Sequence, residues 1–193
     1  MAENRLSSPR RVVVIGGSTG SIEVLLQVLP ALPAPLPCTL IIVVHRRNTA
    51  DSTLASLFTM RSAVPVNEVD DKDPVEAGHI YLAPADYHLL VETDHTFSLD
   101  DSEKVNYSRP SIDVTFESAA AVYGPALTGI LLSGANADGT RGLAMIRQRG
   151  GLTLAQQPES AQVGFMPQQA IRQQVVDRVV SIDEIIAELI RPV

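Results

Sequence analysis

The 193-residue chain has one cysteine, no tryptophan and few aromatic side chains, which make up 4% of its residues. Cys38 alone cannot form an internal disulfide framework, and the apolar run that follows it favours a buried, unreactive position. The shortage of aromatic residues argues against the stacking platforms that bind single-stranded nucleic acid. No apolar segment approaches about 18 residues, the length that a membrane-spanning helix needs.

Basic residues are also scarce, since 15 lysines and arginines oppose 22 aspartates and glutamates and leave a net charge of −7. General binding to nucleic acid is therefore not expected, because a basic footprint normally carries that affinity. Residues 1–10 lack the apolar core of a signal peptide, so the predicted location is the cytoplasm, without membrane insertion. An apolar fraction of 45% suits one globular domain.

Short apolar runs alternate with helical patterns along most of the chain. Three runs, 12–15, 39–44 and 126–133, predict strands buried on both faces, and residues 151–155 predict a further strand. A strand, a helix and a further strand predict right-handed units with parallel strands. The predicted fold is a doubly wound α/β domain over residues 11–193, with a mainly parallel sheet and helices on both faces. Residues 87–92 and 95–99 predict a small antiparallel hairpin insertion, and residues 1–10 a tail or linker remnant.

Ser18 lies in a glycine-rich turn, Gly16-Gly-Ser-Thr-Gly20, directly after the first predicted strand and before a helical pattern. Such a turn can present a serine nucleophile beside a helix N-terminus that stabilises an oxyanion. The same amides and helix end could instead hold a phosphate. In a third alternative, Ser18 or Ser21 simply caps the helix. The turn alone leaves all three open.

His45 and Asp138 follow two other predicted strands and should emerge at the same edge of the sheet as Ser18. Ligands of open parallel sheets lie beyond the carboxyl ends of the strands. A serine, a histidine and an aspartate there can act as nucleophile, general base and orienting acid. His45 could instead bond only to backbone, and Asp138 could be a turn or cap residue. Their joint placement favours acyl transfer.

A series of motifs, in order between residues 11 and 190, carries a more specific signal. They are Ile15-Gly-Gly-Ser-Thr-Gly20, Val44-His45, Gly78-His-Ile-Tyr-Leu-Ala-Pro84, Arg109-Pro-Ser-Ile-Asp-Val114, Leu131-Leu-Ser-Gly134 with Asp138-Gly139, Leu154-Ala-Gln156 and Gly164-Phe-Met-Pro167. Together they resemble the catalytic domain of the chemotaxis methylesterase family called CheB. Members of that family are protein-glutamate methylesterases and glutamine deamidases.

The resemblance implies a role for each of the three residues. Ser18 would attack the side-chain methyl ester of a receptor glutamate, His45 would accept its proton, and Asp138 would hold His45 in the required tautomer. Methanol would leave, and water would hydrolyse the acyl-enzyme. The resemblance also assigns oxyanion or substrate-binding roles to Thr19 and to the amide of Ala135. It implies that no metal or organic cofactor is required.

Several positions near the predicted pocket depart from the family pattern. Ser21 replaces a glycine, and Arg46-Arg47 replaces an apolar segment that contains proline. Ser108 stands where many relatives have histidine, and residues 135–137 replace a methionine-glycine pair. These changes bear on substrate fit and partner choice more than on reaction class, because they flank the pocket. The histidines at 79, 88 and 95 show no metal-site spacing and are interpreted as structural or surface groups.

The predicted partner is a methylated chemoreceptor or a receptor-like protein. Arg109, with Arg46 and Arg47, is a candidate contact for an acidic receptor helix, although exposed arginines are more often only solvated. The family often carries an amino-terminal receiver domain, for which this chain has no room. A regulatory receiver domain would therefore act in trans.

Two other functions stay open at this stage. The altered residues around the pocket would also suit a hydrolase of another small ester. A noncatalytic module could bind phosphate or a nucleotide through residues 16–21. The second alternative lacks the G-x-G-x-x-G spacing and the P-loop lysine that such modules use.

Overall fold

The computed structural model describes residues 9–46 and 53–192. Its strands are β1 (Val12–Gly17), β2 (Thr39–Val44), β3 (Val66–Glu68), β4 (Ile80–Leu82), β5 (His88–Val91), β6 (Phe97–Asp100), β7 (Leu127–Leu131), β8 (Leu152–Gln156) and β9 (Arg178–Val180). Seven of them form one parallel sheet in the order β3-β4-β2-β1-β7-β8-β9. The other two, β5 and β6, form a separate antiparallel pair, as predicted.

Six α-helices lie within the described part of the chain. They are α1 (Ser21–Val28), α2 (Thr53–Arg61), α3 (Ile112–Tyr123), α4 (Thr140–Gln148), α5 (Phe165–Arg172) and α6 (Ile182–Ile190). Short 3₁₀ turns occupy Leu29–Ala31, Gly124–Ala126 and Pro158–Ser160. Helix α6 begins with a capping box, in which Ser181 and Glu184 exchange hydrogen bonds with each other's backbone amides.

Each central strand is buried on both faces, which explains why its sequence shows no polar alternation. In β1, Val13 and Ile15 join one hydrophobic cluster with α1, α2 and α6. Val12 and Val14 join a second cluster, on the opposite face, with α3, α4, α5 and the β5–β6 pair. The predicted doubly wound α/β fold is therefore confirmed. Of the predicted domain limits, residues 1–8 lie outside the described part, so these limits stay a prediction.

The order in which the chain adds strands to the sheet reverses between β1 and β7. β1 pairs with β2 on one side and with β7 on the other, and the chain reaches β7 only after α3. Ligands of open α/β sheets bind in the crevice at such a point, beyond the carboxyl ends of the strands. Ser18 follows β1, His45 follows β2, and Asp138 lies beyond β7, so all three reach this crevice. None of the described helices is long and apolar enough to cross a membrane.

Candidate active site

The turn that carries Ser18 is fixed by its backbone. The Ser18 amide donates to the carbonyl oxygen of Ser133 at 2.9 Å, and the Ser18 carbonyl accepts from the Ser21 amide at 3.0 Å. The Ser21 hydroxyl donates to the same carbonyl at 2.6 Å. Neither serine caps α1 with its side chain, because Gly20, with a φ of 85°, occupies the cap position. The helix-cap alternative for the two hydroxyls is therefore wrong.

A cavity of about 680 Å³ opens beside this turn and is lined by both Ser18 and His45. His45 is positioned through its amide, which donates to the carbonyl oxygen of Gly17 at 3.1 Å. Its Nε2 atom lies 2.7 Å from Oδ2 of Asp138. Its Nδ1 atom lies 3.4 Å from the Ser108 hydroxyl. Among the described residues, the Ser18 hydroxyl makes no hydrogen bond to His45.

Asp138 is completely buried, and its carboxylate accepts six hydrogen bonds. The donors are Nε2 of His45, the amides of Ile112, Asp113 and Gly139, the Ser111 hydroxyl and Nδ2 of Asn106. Two of the amides belong to the first turn of α3, so Asp138 caps this helix from a distant part of the chain. Ser111, the residue at the N-cap position of α3, does not cap the helix with its side chain and directs its hydroxyl to Asp138 at 2.9 Å.

These contacts keep Asp138 ionised. Burial alone would raise the pKa of Asp138, but hydrogen bonds from His45 and from the Ile112 amide outweigh it and lower the pKa to about 2. A carboxylate can only accept hydrogen bonds, so Nε2 of His45 must carry the hydrogen that points at it. In a neutral imidazole, Nδ1 is then the atom that can accept a proton. Nδ1, the nitrogen of His45 that can act as the base, therefore faces Ser108 and the cavity.

A second buried carboxylate, Asp113, lies beside Asp138; in the sequence it stands within the Arg109–Val114 motif, and no role in the site was predicted for it. Nδ2 of Asn106 donates to Oδ2 of Asp113 at 2.9 Å and to Oδ1 of Asp138 at 3.1 Å, so it bridges the two acids. The Gly142 amide donates to Asp113 at 2.7 Å. Burial raises the pKa of Asp113 to about 6, and the charge of Asp138 acts in the same direction. In the sequence, Asn106 shows only as a member of the polar segment that precedes Arg109, and nothing there points to its contacts with the two acids.

The backbone amides of Thr19 and Ala135 are the candidate oxyanion donors. Both residues are exposed, and neither amide donates a hydrogen bond within residues 9–46 and 53–192. Thr19 follows Ser18 directly, and a β-carbon on Gly134 would lie only 3.1 Å from that of Ser18. Ala135 therefore begins just beside the serine. Two uncommitted amides thus border the Ser18 side chain at the N-terminal end of α1.

The two described arginines at the cavity are already held by the protein. Nη1 of Arg109 donates to the carbonyl oxygens of Asp101 at 2.5 Å and Ser102 at 2.7 Å. Nη2 of Arg46 lies 2.7 Å from the Glu68 carboxylate and donates to the Ala83 carbonyl at 3.1 Å. Both side chains line the cavity. The other predicted contact, Arg47, lies outside the described residues.

Among the described residues, the three remaining histidines make no hydrogen bond to Ser18, His45 or Asp138. His88 is buried, with Nε2 bonded to the Glu103 carbonyl at 2.9 Å and Nδ1 accepting from the Ser111 amide at 3.1 Å. His79 contacts the Ala77 carbonyl, and His95 contacts the Tyr123 hydroxyl at 3.4 Å. The part of the chain that the structure describes contains no group of three or more acidic, histidine or cysteine side chains placed to hold a metal ion.

Comparison with known proteins identifies the family. The family model described as CheB methylesterase matches residues 13–189, which is nearly the whole chain. The chain belongs to the CheB methylesterase family. A Leptospira interrogans relative in this family is 40% identical over 179 residues and is matched over 93% of both chains. The family resemblance stated from the motifs is thereby confirmed.

Other members of the CheB family agree in sequence and in structure. A Symbiobacterium thermophilum protein named protein-glutamate methylesterase/protein-glutamine glutaminase is 40% identical over 159 residues, which cover 82% of this chain and 44% of that protein. The crystal structure of the Thermotoga maritima CheB methylesterase catalytic domain matches with a TM-score of 0.89 and 33% identity. The match covers 93% of this chain and 97% of that domain. The chain is therefore a hydrolase of the CheB type.

Proposed function

We propose that this protein removes methyl groups from glutamyl esters of chemoreceptors, releasing methanol, and that it deamidates glutamine side chains at the same site. The relatives named for these two activities support the reaction class. The observation that carries the proposal is the 2.7 Å contact between the buried Asp138 and His45, which lines the same cavity as Ser18. We assign Ser18 as nucleophile, His45 as general base and Asp138 as orienting acid.

In the first half of the reaction, Oγ of Ser18 attacks the ester carbonyl carbon while Nδ1 of His45 takes the hydroxyl proton. Asp138 stabilises the imidazolium through Nε2, at 2.7 Å. The carbonyl oxygen becomes negatively charged in the tetrahedral intermediate. We assign the amides of Thr19 and Ala135, which have no hydrogen-bond partner among the described residues, as donors to this oxygen, and one such donor is worth about 3 kcal/mol in the transition state.

His45 then returns its proton to the leaving methoxide, and the departure of methanol completes the first half and leaves the acyl-enzyme, which the second half hydrolyses. Water then attacks the same carbonyl carbon, and Nδ1 of His45 accepts a proton from it. Collapse of the second tetrahedral intermediate returns the proton to Ser18 and releases the glutamate carboxylate. With a glutamine substrate, ammonia replaces methanol as the leaving group in the first half.

Ser108 also lies close to the base and is a rival for the role of nucleophile. Its hydroxyl is 3.4 Å from Nδ1 of His45 and 3.4 Å from Nδ2 of Asn136, and both distances are long for hydrogen bonds. The Ser108 amide is used in a bond to the Val105 carbonyl at 2.9 Å. Ser18, in contrast, borders two free amides and a helix N-terminus. We therefore favour Ser18, whose bond to His45 forms when substrate is bound.

The substrate class is tested by measuring methanol release from a methylated chemoreceptor and from a panel of small methyl esters. We expect the purified protein to demethylate the receptor and the small esters to be poorer substrates. Efficient cleavage of small esters with an untouched receptor would instead identify a small-ester hydrolase. The expected cytoplasmic location and a receiver domain acting in trans stay predictions.

A further inference from the structure

The segment that carries Ser108 forms a tight hairpin at the edge of the cavity. Val105 and Ser108 exchange backbone hydrogen bonds of 3.2 and 2.9 Å around two central residues, Asn106 and Tyr107. The φ angles of these two residues are 50° and 62°, so both are left-handed. Such a two-residue turn strongly favours asparagine followed by glycine. Asn106 fits the first position, and Tyr107 occupies the position that suits glycine.

Nothing in the described fold compensates for this choice of residue. A left-handed backbone brings the β-carbon of any residue other than glycine close to its own carbonyl oxygen and is unfavourable. Tyr107 is 97% exposed, and its hydroxyl makes no hydrogen bond to any described residue. Neither burial nor a polar contact therefore explains its presence. Local strain that the fold does not require is typical of functional positions.

The hairpin is fixed at the residues on either side of Tyr107. Asn106 bonds to the two buried carboxylates, at 2.9 Å to Asp113 and 3.1 Å to Asp138. Ser108 lies 3.4 Å from the His45 ring. Tyr107 is thereby held at the wall of the cavity that Ser18 and His45 line. An exposed aromatic ring at a fixed place beside the reacting groups offers a large contact area at a small loss of conformational entropy.

We propose that Tyr107 is a specificity-determining residue that packs against the surface of the protein substrate beside the modified glutamate. The inference rests on the proposed function, because it concerns the same site. A glutamate side chain enters the cavity to reach Ser18, so the substrate backbone and its neighbouring residues stay at the mouth, where Tyr107 lies. A small ester would use the cavity alone, and a protein substrate would also contact the ring.

The test compares four proteins on two substrates. Tyr107→Gly removes the ring and suits the left-handed backbone, and Tyr107→Phe keeps the ring and removes the hydroxyl. Gln174→Gly is the matched control, because Gln174 is also exposed and left-handed, with a φ of 57°, but lies outside the cavity. For the wild type and each variant, kcat/KM is measured for methanol release from a methylated receptor and from a small soluble methyl ester, together with Tm.

We expect Tyr107→Gly to lower the ratio of receptor kcat/KM to small-ester kcat/KM about tenfold, the size of effect expected for loss of an aromatic interface contact. Tyr107→Phe and Gln174→Gly should keep the wild-type ratio. The Tm of Tyr107→Gly should stay within about 2 °C of the wild-type value or rise, because the backbone strain is relieved.

Three results would overturn the inference. An unchanged ratio for Tyr107→Gly, with the wild type active on the receptor, would reject the role of Tyr107 and leave the proposed function intact. A fall in Tm of more than about 5 °C would mean that the ring stabilises the fold instead. A wild-type protein that releases no methanol from the receptor would reject the proposed function and this inference together.

Discussion

The carboxylate of Asp138 lies 2.7 Å from Nε2 of His45 and, at the same distance, accepts the hydrogen bond of the Ile112 amide at the start of α3. One buried group therefore orients the imidazole and satisfies a helix N-terminus. The helix amides keep the carboxylate charged, and the charge in turn fixes which imidazole nitrogen is free. The orientation of the proposed base is in this way tied to the folded state of α3.

Replacing Asp138 by asparagine should impair both activity and stability. The asparagine amide cannot accept hydrogen bonds from His45 and from the α3 amides together, so His45 would adopt the wrong tautomer. We expect kcat for methanol release to fall about 10⁴-fold, as for the equivalent change in other serine hydrolases. The free energy of unfolding should fall by about 1–3 kcal/mol, because buried donors lose their acceptor.

Asp183→Asn is the control for this prediction. It also removes a carboxylate from the first turn of a helix, α6, but Asp183 is exposed and lies outside the cavity. We expect a change in stability of at most about 1 kcal/mol and wild-type activity. An Asp138→Asn enzyme that keeps more than about a tenth of the wild-type kcat would contradict the assigned role of Asp138.

Asp113 should make stability depend on pH in the direction opposite to a normal carboxylate. Its pKa is raised by burial to about 6, from an ordinary value of 3.8. Between about pH 4 and pH 6 the folded state therefore holds a proton that the unfolded chain has lost, so stability falls as pH rises. Relative to that of Asp113→Asn, the free energy of unfolding of the wild type should fall by on the order of 2–3 kcal/mol between pH 4 and pH 7.

Urea unfolding of both proteins at several pH values measures this difference. Asp94→Asn is a control of opposite sign, because hydrogen bonds from Thr96 lower the pKa of the exposed Asp94 carboxyl. Asp94 therefore stabilises the folded protein above its unfolded pKa, and this contribution is lost as pH falls. The free energy of unfolding of the wild type should accordingly rise relative to that of Asp94→Asn as pH rises. If the free energy of unfolding changed with pH in the same way for the wild type and for Asp113→Asn, the pKa of the Asp113 carboxyl would not be raised.

Cys38 should be inert in the native protein. It is the only cysteine in the chain, its side chain is buried, and burial raises the pKa of its thiol to about 11. Because the thiolate is the reactive form, iodoacetamide at pH 8 should leave the native protein unmodified and fully active. The same reagent should label one thiol in guanidinium chloride, as measured by mass spectrometry. Rapid labelling of the native protein would contradict this placement.

The sequence predicted the strands and the edge where the site lies, because these follow from local patterns. Unbroken β-branched runs such as 12–15 became strands buried on both faces, and Ser18 and His45 followed strand ends as expected. The resemblance to the CheB family then assigned roles that the turn alone left open. These parts needed only the period of the apolar residues and the order of the motifs.

The hydrogen bonds that hold Asp138 in place could not be predicted from the sequence. Asn106 reaches Asp138 across 32 positions in the chain, and the Ile112 amide reaches it across 26. Contacts of this kind depend on how α3 packs on the sheet and on the path of the hairpin, and no local spacing encodes them. For the same reason, nothing in the sequence around Ser111 shows that the acceptor for the first amides of α3 is Asp138.

The central claim is that Ser18, and not Ser108, attacks the ester. The most direct measurement is methanol release from a methylated receptor by the wild type, by Ser18→Ala and by Ser108→Ala under the same conditions. We predict that Ser18→Ala loses at least about 10⁴-fold in kcat, whereas Ser108→Ala keeps at least about a tenth of it. The claim would be contradicted if Ser18→Ala released methanol at the wild-type rate. It would also be contradicted if Ser108→Ala were inactive while Ser18→Ala stayed active.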